Sequence, residues 1–213
     1  MDSPANEGLD LRIPHTDATA RAEEPRLRAQ AVRRAVGRAD RRFVARTAQW
    51  RPTPVDRLMI GLSRSANRGQ IWIVVAALLI ALGGPARRGA VRGSLVLGAS
   101  TLVATKLLKP LFPRTRPPAH AVPGTRRFSE TPDTPSFPSA HAALAAAFAT
   151  GVAIESRRAG YVLAPLAAAV AYSRVHTGAH WPSDVVAGSA VGVTVALVTQ
   201  RFWSARRSAA SVR

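Results

Sequence analysis

The sequence predicts an all-α fold, an integral membrane bundle of about five transmembrane helices preceded by a basic amphipathic helix. Three observations point there. Apolar residues fall into five successive blocks, 69–86, 93–108, 140–154, 159–173 and 185–200, which hold no Asp, Glu, Lys, Arg or His except Lys106 and His141 near block ends. The blocks lack the polar stripe by which a surface helix faces water. The basic residues that accompany them sit mostly at their edges, where arginine can snorkel to the headgroups and lengthen a short span.

Each block is somewhat shorter than the ~20 residues that cross a ~30 Å hydrocarbon core. One such block could be a buried helix of a soluble protein, but five in succession cannot all be faces of one small soluble core. Trp72, Trp181 and Trp203 stand near block ends, as interfacial anchors do. Small residues such as Ala142 to Ala149, and Gly188 to Gly192, suit close helix–helix contact in lipid.

The first third of the chain reads differently. Residues 1–24 are rich in Asp, Glu, Thr and Ala without apolar periodicity, and are expected to be a disordered tail. No hydrophobic run follows Met1, so no cleavable secretion signal is expected. Residues 25–68 read as a basic amphipathic helical segment at the membrane surface. It runs from Pro25 through Asp40, Arg41 and Arg42 to Trp50, then restarts at Pro54 with Leu58, Met59, Ile60 and Leu62 as apolar positions. Such a segment suits an anionic leaflet. Residues 69–203 form the transmembrane domain and 204–213 a basic tail.

Composition narrows the function classes. Of 213 residues, 30 are Lys or Arg and 12 are Asp or Glu, a formal charge of +18. A disordered polycation is excluded because 47% of the chain is hydrophobic. With no cysteine, disulfides, cysteine-based zinc sites and a cysteine nucleophile are excluded. A soluble nucleic-acid binder would interleave aromatics among its arginines, and this chain does not. After residue 68 only Glu130, Asp133, Glu155 and Asp184 are acidic.

Three stretches at block ends carry chemistry. Lys109 and Arg116 lie on the proline-stiffened segment Lys109 to Pro118, where a compact ammonium and a planar guanidinium could grip a phosphate. Ser139 stands at an N-cap position in Pro138-Ser139-Ala140-His141, so the following N–H groups form an anion site and His141 faces it from the first turn. In Ser173-Arg174 through His180 to Asp184, a helix opened by Pro182 would let the Asp184 carboxylate reach back to His180. That fixes the tautomer and frees the other ring nitrogen as nucleophile or base. Each stretch alone also reads as ordinary juxtamembrane structure.

Taken in order, Lys109-x6-Arg116-Pro117, Pro138-Ser139-x-His141 and Ser173-Arg174-x5-His180-x3-Asp184 resemble the three-part signature of the type-2 phosphatidic acid phosphatase superfamily. That superfamily takes in lipid phosphate phosphatases, polyprenyl diphosphate phosphatases and vanadium haloperoxidases. The likeness spans about residues 55–203 and looks closest to the phosphatase portion of actinobacterial phosphatase–diacylglycerol kinase fusions. One position departs from it: Ala140 stands where the family usually has Gly, keeping the N–H donor but not the freedom to adopt a positive φ.

The resemblance implies metal- and cofactor-independent hydrolysis of a lipid phosphate. Lys109, Arg116, Arg174, Ser139 and the Ala140 N–H would bind phosphate. His180, oriented by Asp184, would become phosphorylated, and His141 would serve the leaving group and then water. His176 has no signature role and is expected to be a packing or supporting residue. Phosphatidic acid is the first substrate expected, and a polyprenyl phosphate, diphosphate or polyprenyl-phosphoryl sugar phosphate the alternative. A non-catalytic lipid-binding scaffold is the reading from another class. With Met1 cytoplasmic, 21 basic residues fall on the site's side and nine on the other, which favours a cytoplasmic active site in the plasma membrane; a sixth span through Leu58 to Leu62 would reverse this.

Overall fold

The computed structural model describes residues 16–67, 69–127 and 133–210, the side chains of 16–23 and 203–210 excepted. Among the described residues every regular element is a helix. The chain divides into two units, Met1–Ala39 and Asp40–Arg213.

Helix α1 (Thr16–Ala48) begins in the first unit. It takes in residues 16–24, which composition had assigned to a disordered tail, while residues 1–15 of that expected tail lie outside the described residues. Alanines favour the helix here, and Glu24 accepts a bond from Arg28 one turn on, the favourable acid-before-base order. The start expected at Pro25 therefore moves back to Thr16, with Pro25 inside the helix and one backbone hydrogen bond forgone.

In the second unit, α1 ends at Ala48, where Arg126 donates from Nη1 to Thr47 O at 2.7 Å and from Nη2 to Trp50 O at 3.0 Å. Those bonds satisfy carbonyls that a helix end leaves open. Pro54 opens α2 (Pro54–Asn67), and the Asp56 carboxylate accepts from Thr53 N at 3.0 Å. Helix α8 (Pro182–Ala210) starts by the same device, with Asp184 Oδ2 accepting from Trp181 N at 2.9 Å. In both, an x-Pro-x-Asp start puts Pro where no N–H is needed and returns the acid to the N-cap amide.

The five apolar blocks become helices, with one boundary moved. Helix α3 (Gln70–Leu82) stops at Gly83, whose φ is +73°, and α4 (Gly84–Leu102) starts at once with Pro85 in its first turn. Arg87, Arg88 and Arg92, which fall between the first two apolar blocks, therefore lie on α4. Arg92 is buried and paired with Glu155 at 2.8 Å, and Arg88 approaches the same carboxylate at 3.7 Å. A π-helical turn, Val103–Leu108, joins α4 to the single turn α5 (Lys109–Leu111). Helices α6 (Ala140–Glu155) and α7 (Arg157–His176) are separated by Ser156 alone, whose Oγ caps α7 by accepting from Ala159 N. Helix α8 runs on to Ala210, so 204–210 continue a helix instead of forming the expected tail, and 211–213 lie outside the described residues.

By length and apolar composition, Gly84–Leu111 and Pro182–Phe202 can each cross a membrane unaided, and α2 with α3 make a third span if that pair, bent by 79°, is counted as one. Ala140–Glu155 is apolar but shorter. The bend places α2 across one end of the bundle: Asp56 and Ser63, about 10 Å apart by helical rise, bond His176 and Arg174 in the last turn of α7. Residues 58–62 thus lie on α2, beside the last turn of α7.

Burial is inverted relative to a water-soluble protein. Leu82, Tyr161 and Val162 are each more than 70% exposed, whereas Asp184 is 0% and Arg174 and His180 each 2% exposed. Apolar exposure on this scale calls for lipid. Helix α6 is the core, packed by α4, α7 and α8, with Phe148 against Trp72 at 5.1 Å between ring centroids. Its neighbour α8 comes close because of two glycines. A Cβ on Gly192 would stand 2.0 Å from Ala143 O, and one on Gly188 2.3 Å from Ser139 O. Gly192→Ala is therefore expected to cost about 1–3 kcal/mol by overpacking, read as a lower midpoint of thermal unfolding in detergent. Gly98→Ala, which meets open space, should leave the midpoint unchanged.

Candidate active site

All three motif stretches end at the same pole of the bundle. Leu111 closes the α4–α5 stretch there, Ser139 opens α6, His176 ends α7 and Pro182 opens α8. The loop between α7 and α8 depends on Gly178, whose φ is +69° and whose Cβ would meet Val122 Cγ2 at 2.6 Å. A left-handed residue past a helix end commonly has to be Gly. The turn folds back so that His180 N donates to Arg174 O at 3.0 Å, which places the imidazole inside the site.

His180 Nδ1 lies 2.7 Å from the Ser136 carbonyl. A carbonyl can only accept, so Nδ1 carries the proton, and Nε2 presents its lone pair to Arg116 Nη1 at 3.3 Å. This differs from the sequence expectation. Asp184 Oδ2 is 3.7 Å from Nδ1, beyond hydrogen-bond length, because that oxygen is taken by Trp181 N as part of the α8 start. The backbone of Ser136 thus holds the tautomer and Asp184 adds its charge from slightly further away. Burial pushes the His180 pKa down to about 4, helped by the charges of Arg116 and Arg174 and opposed by Asp184. The imidazole is neutral near pH 7.

Arg116 is fixed on every side: Nε donates to Thr134 O at 3.1 Å, Nη2 to Thr134 Oγ1 at 3.1 Å, and Nη1 to Ala179 O at 2.6 Å. Lys109 Nζ donates to Thr134 Oγ1 at 3.3 Å and to Pro135 O. Arg174 Nη1 donates to Ser63 Oγ at 2.6 Å. These three cations stand near enough to repel one another, and His141 lies within electrostatic reach of all three and of His180. Such a convergence of positive charge on neutral imidazoles is a ready anion site.

At the α6 start, Ser139 Oγ accepts from Ala142 N at 3.4 Å, and Ser139 N donates to Asp184 O at 3.0 Å. Ser139 is fully buried as the N-cap. Ala140 occupies ordinary right-handed helix, since no non-glycine residue among those described has positive φ. Replacement of the family's usual Gly thus costs no backbone strain, and Ala140 keeps its own N–H as a donor at the helix start. Asp133 lines the mouth of the site, an opening of about 410 Å³ shared with Pro113, Arg114, Thr115, Arg116, Thr134 and Pro135. Glu130 lies outside the described residues. His176 is taken up elsewhere, with Nε2 2.8 Å from Asp56 Oδ1.

Two charged residues escaped the sequence reading. Arg114 donates to Asp184 Oδ1 at 2.6 Å, to Ser183 Oγ at 2.7 Å and to Asp40 Oδ2 at 2.7 Å. Asp40, from α1, accepts from Ser183 N at 3.0 Å and from Ser183 Oγ at 2.6 Å. The available cue was spacing: on an extended segment, Arg114 shares a face with Arg116 two residues on. Nothing local announces Asp40.

A sequence model described as the PAP2 superfamily matches residues 90–208. The decaprenylphosphoryl-5-phosphoribose phosphatase of Mycobacterium tuberculosis is 38% identical over 160 residues, 70% of this chain and 81% of that protein. An undecaprenyl-diphosphatase of Sulfolobus acidocaldarius is 31% identical over 149 residues, 69% of this chain and 70% of that one. Among solved structures, the PAP2-type phosphatidylglycerolphosphate phosphatase of Bacillus subtilis superposes with a TM-score of 0.61 at 21% identity, covering 80% of this chain and 87% of that one. Aquifex aeolicus LpxE gives 0.62 at 20% identity, covering 75% and 93%. These two share the fold.

Proposed function

Because the chain belongs to the PAP2 superfamily and is a multi-pass membrane phosphatase, we propose that it removes the terminal phosphate of a lipid through a phosphohistidine formed on His180, without a metal ion. The observation that supports this most directly is the neutral His180 imidazole, its Nε2 lone pair facing the Arg116 guanidinium. A phosphoryl group entering there exchanges that contact for oxygen–guanidinium bonds and meets the nucleophile in line.

The steps follow from the side chains. Lys109, Arg116 and Arg174 hold the non-bridging oxygens, where charge is carried through phosphoryl transfer, and the α6 N-terminus at Ser139 and Ala140 adds backbone donors. Nε2 attacks phosphorus as the bond to the leaving oxygen breaks. His141, which takes up a proton once the phosphate's negative charge occupies the site, gives that proton to the leaving oxygen, then takes one from the water that cleaves the N–P bond and releases inorganic phosphate. Nδ1–H, kept on the Ser136 carbonyl with Asp184 nearby, carries the positive charge that develops on the ring.

The relatives move the balance between substrates. Phosphatidic acid comes first from the sequence resemblance alone, but the 38% relative is named for a polyprenyl-phosphoryl pentose phosphate and the 31% relative for a polyprenyl diphosphate. We place a polyprenyl-linked phosphate ahead of phosphatidic acid. The site is assigned to the cytoplasmic face of the plasma membrane, where the positive-inside rule puts the more basic side. Asp40 and Thr47, bonded to Arg114 and Arg126, lie on that side with the site.

Phosphate release in sealed vesicles, with each lipid phosphate added from outside and EDTA present, tests these readings together. Turnover is expected with the polyprenyl-phosphoryl sugar phosphate above phosphatidic acid, undiminished by EDTA and confined to inside-out vesicles. Abolition by EDTA would overturn the metal-free chemistry. A preference for phosphatidic acid would restore the first substrate, and turnover confined to right-side-out vesicles would reverse the topology.

A further inference from the structure

We propose that Asp40 and Arg114 are positioning residues for the reaction, so that the last turns of α1 belong to the machinery although they lie before residues 90–208 that the family model matches. The proposal rests on the reading of Asp184 and His180 given above.

Asp40 is 3% and Asp184 0% exposed, and one guanidinium bridges them: Arg114 Nη2 donates to Asp40 and Nη1 to Asp184 Oδ1. Two acids beside one cation would leave Asp40 in surplus were it not also bound by Ser183 N and Ser183 Oγ at the start of α8. Asp40 therefore does two things. It completes the N-terminus of α8, where backbone N–H groups need an acceptor and negative charge is favoured. It also anchors Arg114 so that the guanidinium grips only one oxygen of Asp184.

That division of oxygens matters for the chemistry. With Oδ1 held by Arg114 and Oδ2 on Trp181 N, Asp184 Oδ2 stays turned toward His180 Nδ1 at 3.7 Å. Its charge is then placed to stabilise the imidazolium-like ring formed as His180 takes the phosphoryl group. Without Asp40, Arg114 is free to take both oxygens of Asp184 in a bidentate grip. This would draw charge away from His180 and slow phosphoryl transfer while leaving Lys109, Arg116 and Arg174 in place to bind the phosphate. A kcat effect with little KM effect follows.

The test is a double-mutant cycle in the full-length, membrane-reconstituted protein. Asp184→Asn alone should lower kcat on the order of 10- to 100-fold, since the Ser136 carbonyl still holds Nδ1 and a measurable rate remains. Asp40→Asn should lower kcat on the order of 10-fold with KM within about twofold, and Asp40→Glu should recover most of the loss. In the Asp184→Asn background, Asp40→Asn should cost less than about twofold, because the group through which it acts is gone. A purely structural Asp40 would cost the same factor in both backgrounds and overturn the proposal, as would full activity of Asp40→Asn. Full activity of Asp184→Asn would instead overturn the reading of Asp184 beneath it. If Asp40→Asn fails to fold, Arg114→Lys makes the same cycle, since an ammonium cannot bridge both acids in one plane.

Discussion

Replacing His180 by alanine is expected to lower kcat/KM by on the order of 10³-fold or more, which is about 4 kcal/mol of transition-state stabilisation at 1.36 kcal/mol per decade. The fold should survive, because the turn that carries His180 is fixed by Gly178 and by its own backbone bond to Arg174. Binding of vanadate or inorganic phosphate by His180→Ala should likewise persist, since Lys109, Arg116 and Arg174 remain. The pH profile adds an independent check. With the His180 pKa pushed down to about 4, the ring loses its nucleophilic lone pair only when pH falls through that value. The limb of kcat/KM due to His180 therefore lies near pH 4, and the rate is flat through neutrality as far as this group is concerned. Arg116→Gln removes a cation that disfavours the protonated ring, so it should move the limb upward as well as weakening phosphate binding.

His141→Gln is the second large effect, with an expected loss of 10²- to 10⁴-fold on an alkyl or sugar phosphate, the range for one positioned acid–base group. Its signature is dependence on the leaving group. An aryl phosphate whose alcohol is acidic needs no proton at the moment of cleavage, so phosphorylation of His180 should stay fast. Release of phosphate needs a base to activate water and should stay slow. His141→Gln is therefore expected to release about one equivalent of the aryl alcohol in a burst and then stall, measured by stopped flow. A slow first turnover with the aryl substrate would show that His141 does not act as the acid.

The sequence made the fold readable wherever the signal was local. Five apolar blocks became helices, and Ser139, Ser156 and the two x-Pro-x-Asp starts mark where four of the chain's helices begin. The α3–α4 boundary was misplaced although Gly83, Gly84 and Pro85 stood in plain view. Arginines at 87, 88 and 92 fell between blocks because a lone charge inside an apolar helix is costly. For Arg92, and at longer range Arg88, the structure offsets that cost with Glu155, 63 residues from Arg92, and no pattern within the block could reveal it. Length alone also left the end of α8 unclear, since a basic tail and a helix that leaves the lipid have the same composition.

The candidate site divides along the same line. Lys109, Arg116, Ser139, His141, Arg174, His180 and Asp184 were legible because each sits in a short stretch whose residue types suit phosphate chemistry, and the bundle brings their ends to one pole. The interactions that set their geometry were not legible. Ser136 orients His180 through a backbone carbonyl, which carries no residue-type signal. Thr134 steadies both Lys109 and Arg116 from a separate segment. Asp40 reaches Ser183 across 143 residues. Pairings of that range are fixed by packing, and a single sequence records only the two ends.

The central claim is a covalent phosphohistidine on His180, and direct trapping tests it. The His141→Gln protein is mixed with an aryl phosphate labelled with ³²P, quenched within the burst and digested. The expected result is label that survives alkali, is lost in acid, and resides on the peptide containing His180. Full product formation in the burst with no label on protein, or label on any other residue, would contradict the account.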